Sequence, residues 1–184
     1  MSPIRSPLPQ FWLWVAHSES YLDHDGQDRA DLEPGYESED DWWTCDEATR
    51  PGDLAFLWRT KPRSDIGYLF QATSDPYDVP SDVQVLRPNW LHRCDFQVLQ
   101  RFDNPLPIAQ LRRARSLRGW LAYRCNFQRT VFPIEPAYWD ILNQMLLRNN
   151  PSYRIVLRKL GFKYGAVAKS GNDTTHPPRR TVRR

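Results

Sequence analysis

The chain has 184 residues, enough for one domain with tails, and its 40% hydrophobic and 13% aromatic content is enough for a packed core. Its three cysteines, Cys45, Cys94 and Cys125, are far apart and form no CxxC pair, which argues against a disulfide framework and a structural zinc site. The net charge of +3 joins two unlike parts: residues 151–184 hold nine Lys or Arg against one acid, or +8, and the first 150 carry −5.

The opening "MSPIRSPLPQ" has no apolar leader region, and no later apolar run reaches the ~18 residues that a bilayer span needs. The expectation is a soluble protein of a reducing compartment, without a membrane partner: cytoplasmic or nucleoid-associated, or nuclear in a eukaryote. Residues 1–8 read as a tail.

"FWLWVAHSES" reads as a strand running into a polar loop, with Phe11, Leu13 and Val15 alternating against Trp12 and Trp14. From Glu19 to Glu47 the chain carries 12 acids against one arginine, Arg29, and Gly26, Pro34 and Gly35 keep regular structure there short. The stretch "DDWWTC" follows. In an extended backbone successive side chains face opposite sides, so Trp42 and Trp43 cannot share one core, which raises the question of what the second tryptophan is for.

Pro51-Gly52-Asp53 sets a turn into the apolar strand Leu54 to Trp58. Ile66 to Thr73 is a further strand, in which Gly67 predicts a bulge or a close backbone approach. "WLHRCDFQVLQRF" is a third strong strand, ending at Phe102. "NPLPIAQLRRARSLRGW" predicts a short helix entered through proline, with Ile108, Leu111 and Leu117 as its apolar stripe. "GWLAYRCNFQRTVFPI" reads as one strand or two. "EPAYWDILNQMLLRNN" is the clearest helix, started by Pro136 and ended at Asn149-Asn150-Pro151.

The expected architecture is therefore α+β, a curved mixed sheet or small barrel flanked by helices, over residues 9–150. Residues 151–184 read as a basic extension, at least partly disordered, from their Pro and Arg content.

Nucleotide-loop, zinc-protease and serine-nucleophile motifs are absent, and no calcium-loop pattern appears in the acidic run. His17, His24, His92 and His176 lack metal-ligand spacing. Folding could bring Cys45 to His17 or His92 as a nucleophile and base. Nothing in the spacing favours that, so no catalytic residue, metal or cofactor is assigned.

Five segments in order resemble the EVE domain, of the PUA-like group that includes YTH domains. They are "FWLWVAHSES", "RPGDLAFLWRT", "IGYLFQATSDPYDV", "NWLHRCDFQVLQRFDNPLPIAQLR" and "NFQRTVFPIEPAYWDIL", within a match that runs roughly from Phe11 to Leu147. The resemblance implies a non-enzymatic module that reads a modified nucleobase, flipped or unpaired, in DNA or RNA. By likeness to YTH domains, Trp43 (or Trp42) and Trp90 map onto aromatic cage walls. Ser18, Ser20, Thr44 and Cys45 map beside them as polar contacts, and Trp14 is a weaker candidate. Residues 81–88 carry no aromatic where YTH domains have a further cage tryptophan.

Phosphate contacts are expected from Arg112, Arg113, Arg115 and Arg118 in "RRARSLR", with Arg158, Lys159, Arg154 and Lys163 beyond. The acidic 19–47 region or the basic tail could dock a partner protein. A nucleotide- or nucleoside-binding protein or enzyme on the same fold is the rival reading.

Overall fold

The computed structural model describes residues 9–36, 42–79 and 92–164. Seven strands are seen there: β1 (Phe11–Ala16), β2 (Trp42–Cys45), β3 (Leu54–Arg59), β4 (Asp65–Ala72), β5 (Tyr77–Asp78), β6 (His92–Pro107) and β7 (Val131–Pro133). The helices are α1 (Ser18–Tyr21), α2 (Ile108–Arg113), α3 (Leu121–Arg124), α4 (Pro136–Asn149) and α5 (Tyr153–Lys159), with 3-10 turns at Ala30–Leu32 and Arg115–Leu117.

The strands form one sheet in the order β2-β6-β4-β3-β1-β7, with β5 added on β6. β1 lies parallel to β3, and the other pairings are antiparallel. β6 runs 16 residues, five past the expected end at Phe102, because it pairs with three different strands along its length, β5 meeting only His92 and Arg93. Its first residues pair with β2 and the rest with β4, through register shifts at Ile66/Tyr68 and Leu69/Phe70. Such shifts bend and twist a sheet, and here they curl it into a half-barrel. This is the expected PUA-like α+β architecture.

The alternation in β1 sorts its residues between two cores. Leu13 and Val15 face the helices with Leu54, Phe56 and Trp58; Trp12, Trp14 and Ala16 face the curl with Ala55, Leu57 and Phe70. Central strands covered on both faces read as continuous apolar runs, as β1 and β3 do. On the helix side, the Trp139 ring of α4 lies between Phe11 at 4.3 Å and Phe56 at 4.4 Å, both stacked. Each such pair adds about 0.5–1.5 kcal/mol beyond simple burial.

Two parts of the chain differ from the sequence reading. "GWLAYRCNFQRTVFPI" is mostly not strand: it folds as α3, a tight turn and the three residues of β7, because Trp120 and Phe127 are drawn together beneath the sheet at 5.9 Å. The packed core also continues past Asn150. Tyr153 and Leu157 of α5 are buried in it, and the Tyr153 hydroxyl donates to Asn143 Oδ1 at 2.7 Å. Among the described residues no helix is long and apolar enough to cross a membrane.

Candidate nucleic-acid interface

The half-barrel does not close. Its two edge strands, β2 and β7, are the outermost members of the sheet order, and a cleft of about 620 Å³ lies between them. One wall carries Thr44, Cys45, Asp46 and Glu47 from the end of β2, with His92 at the head of β6. The other carries Gln128, Arg129, Thr130 and Val131 from the approach to β7, and His17 follows β1. The volume falls within the ~300–1,000 Å³ usual for ligand pockets. Cys45 stands directly opposite His92 in the β2–β6 register, and His92 Nδ1 lies 3.3 Å from the exposed Asp78 carboxylate.

The floor beneath this seam is built from the second core. Trp43 is 7% exposed and meets Phe70 and Phe96 edge-on at 5.6 and 5.8 Å. It fills the barrel interior and is not part of the lining of this cleft. Trp42 points to the opposite face, where the Arg93 guanidinium sits between its ring at 5.1 Å and that of Tyr77 at 4.8 Å. The paired tryptophans thus serve an interior plug and an outer cation stack.

Trp14 is fully buried and is not part of the lining of this cleft. Trp90 lies outside the described residues. Ser18 begins α1 with its Oγ 3.3 Å from Glu19 Oε2, and Ser20 spends its carbonyl on Arg29. Neither is part of the cleft lining, whereas Thr44 and Cys45 are.

Behind Cys45 lies a second thiol. A hydrogen bond with Cys94 lowers the Cys45 pKa against its burial, while that same bond and burial push Cys94 up. Among the described residues no group of three or more His, Cys, Asp or Glu could hold a metal.

The opposite wall is held under strain. Asn126 (φ 49°) and Phe127 (φ 58°) are consecutive left-handed residues, a conformation costing a bulky side chain about 1–3 kcal/mol. Burial of Phe127 offsets that cost, since its ring stacks on Trp58 at 4.2 Å. On the far side, Thr130 O accepts from Val15 N at 2.9 Å, which ties the segment to β1.

Arg112, Arg113, Arg115, Arg118, Arg158 and Lys159 are all exposed. Arg112 Nη2 donates to Asn126 Oδ1 at 3.2 Å, which joins α2 to the strained turn. The sequence reading weighed His17 and His92 only as bases for Cys45 and did not consider Gln128 or Arg129. Their grouping depends on which strands end at the seam, a fact of topology that no local pattern carries. The one available signal was compositional: residues 104–134 hold six arginines and no acid.

Sequence comparison with the curated proteins gives no match. Solved structures share the fold at low identity. A hypothetical protein from Leishmania major is 15% identical with a TM-score of 0.58, over 76% of this chain and 96% of that one. A protein from Pseudomonas syringae is 14% identical with a TM-score of 0.56, over 74% and 99%. The human THYN1 protein, solved in complex with DNA containing 5-methylcytosine, is 15% identical with a TM-score of 0.55, over 74% and 97%. The EVE domain pattern itself matches residues 11–145, so most of the sequence carries the family's signature, and the chain belongs to the EVE domain family.

Proposed function

We propose that this chain is a nucleic-acid-binding module that reads a modified nucleobase, extruded or unpaired, in the seam cleft and performs no chemistry on it. The observation that carries the reading is the cleft itself. It is roomy enough to take a base with its sugar, and it has polar walls at the seam of a fold whose human relative was solved with 5-methylcytosine DNA. Extruding a base costs a few kcal/mol, and stacking on a ring returns ~1–3 kcal/mol per base. The rings at hand are the imidazoles of His17 and His92. Thr44 lines the cleft too, while Val131 and Cys45 offer a small apolar surface to an added methyl group. One methyl group in such a slot is worth ~1–3 kcal/mol, or about 10- to 200-fold. Arg112, Arg113, Arg115, Arg118, Arg158 and Lys159 are assigned to phosphates.

Anisotropy titration of labelled oligonucleotides, matched except for one cytosine methyl group, tests this reading. Tighter binding of the methylated strand is expected, with the difference reduced in His92→Ala. Equal affinity for both strands across a panel of modified bases, unaltered by His92→Ala, overturns it.

A rival reading has one specific observation in its favour. Cys45, His92 and Asp78 lie in sequence along one wall, as a nucleophile, base and orienting acid would. Turnover of a free nucleoside or nucleotide that is abolished by Cys45→Ser would establish that enzyme.

A further inference from the structure

The two walls of the cleft carry opposite charge. At the end of β2 stand Asp46 and Glu47, and behind His92 stands Asp78. Across the seam stands Arg129, followed in the fold by Arg112 through its bond to Asn126 and preceded in the chain by Arg124. A phosphate diester avoids the first wall and is attracted to the second.

The segment bearing Arg129 is also rigid. Phe127 N donates to Ala122 O at 2.9 Å and Gln128 N to Cys125 O at 3.1 Å, and the Phe127 ring is buried between Trp58 and Trp120. Thr130 is fixed to β1 on the other side. Arg129 itself is exposed, with its guanidinium 6.0 Å from the Phe132 ring centre. The conformational strain at Asn126 and Phe127 thus holds one cation at the mouth of a cleft, a placement that a relaxed turn would not hold. Backbone strain that surrounding packing maintains is a common mark of a binding site.

We propose that Arg129 is the phosphate clamp of the seam cleft. The bound strand continues from it over Arg112 and Arg124, and leaves the Asp46, Glu47 and Asp78 side bare. This inference rests on the reading of the cleft as a base site. It adds a strand direction and the residue that fixes it.

The test measures how affinity depends on salt, using the same methylated and unmethylated labelled oligonucleotides. Arg129→Ala should weaken binding of both about fivefold at moderate salt and lower the slope of log affinity against log salt by about 0.7–0.9, the release of one counterion. Arg129→Lys should restore most of the slope, because a lysine still neutralises one phosphate. Glu47→Gln should strengthen binding about twofold by easing repulsion at the opposite wall. Thermal melts of the three variants should match the wild type, since both side chains are exposed. An unchanged slope in Arg129→Ala, or a Glu47→Gln variant that binds less tightly, overturns the clamp. A wild type that ignores methylation while Arg129→Ala still loses slope refutes the base reading and leaves the clamp standing.

Discussion

Arginine is used in two opposite ways in this molecule. Arg59 is 4% exposed and lies across β4, bonded through Nε and Nη2 to Asp65 at 2.7 and 2.9 Å and through Nη1 to Asp28. Asp28 also accepts from the Tyr68 hydroxyl and from Arg63. Arg129, Arg112 and Arg124, by contrast, stand in a stretch without a carboxylate, exposed to solvent. A guanidinium already satisfied by carboxylates has nothing left for a ligand, whereas one without them remains available to a phosphate. The contrast also accounts for part of the acidic 19–47 region. Asp28 and Glu33 hold their loop to the sheet through Arg59, Arg63 and Arg101.

The sharpest way to break the comparison is to delete the buried arginine. Arg59→Ala should cost about 3–5 kcal/mol in urea melts, because Asp28 and Asp65 would be left buried without their partner. A loss under about 1 kcal/mol would make Arg59 no different from the surface arginines. Trp43→Ala should fall in the same range of about 3–5 kcal/mol, the usual cost of emptying a core tryptophan site. Trp42→Ala, which removes only the stack on Arg93, should cost about 1 kcal/mol.

Gly67→Ala comes next. A Cβ there would meet Arg59 Nε at 2.4 Å, so overpacking of about 1–3 kcal/mol is expected. The penalty should largely vanish in an Arg59→Ala background, which a double-mutant cycle reads directly. Among the exposed arginines, Arg115→Ala should move stability by no more than about 0.5 kcal/mol while lowering the salt dependence of oligonucleotide binding.

The smallest expected effect concerns alkali. Burial, then the bond to Asp95, raises Tyr77 to about 12, and burial raises Tyr68 as well. A phenol whose folded pKa exceeds its unfolded value near 10 adds stability below pH ~10, and that contribution disappears as pH rises through the folded value. Melting temperature should therefore fall between pH 10 and 12, and Tyr77→Phe should blunt the fall.

Much of the frame was legible in the sequence, because β1 and β3 are unbroken apolar runs and α4 keeps one helical period. Gly67 was read as a bulge or close approach, and it is both: the β3–β4 and β4–β6 registers shift nearby, and the Arg59 guanidinium crosses it. The alternation rule separated Trp42 from Trp43 but could not say which face was interior. That depended on Phe70 and Phe96, residues 27 or more positions away that the curl of the sheet brings to Trp43. The cleft was illegible for the same reason. Its walls come from the ends of four separate segments, and only the strand order makes them neighbours. α3 was mistaken for strand because aromatic and β-favouring residues there serve the packing of Phe127, with no ladder to join.

Six indoles, those of Trp12, Trp14, Trp43, Trp58, Trp120 and Trp139, are at most 7% exposed. The native protein should accordingly fluoresce at the blue end of the tryptophan range, and water-borne quenchers such as iodide should dim it little. Trp42, half-buried beside Arg93, is the described indole most open to such quenching, so loss of its contribution provides an optical signature for the outer stack alone.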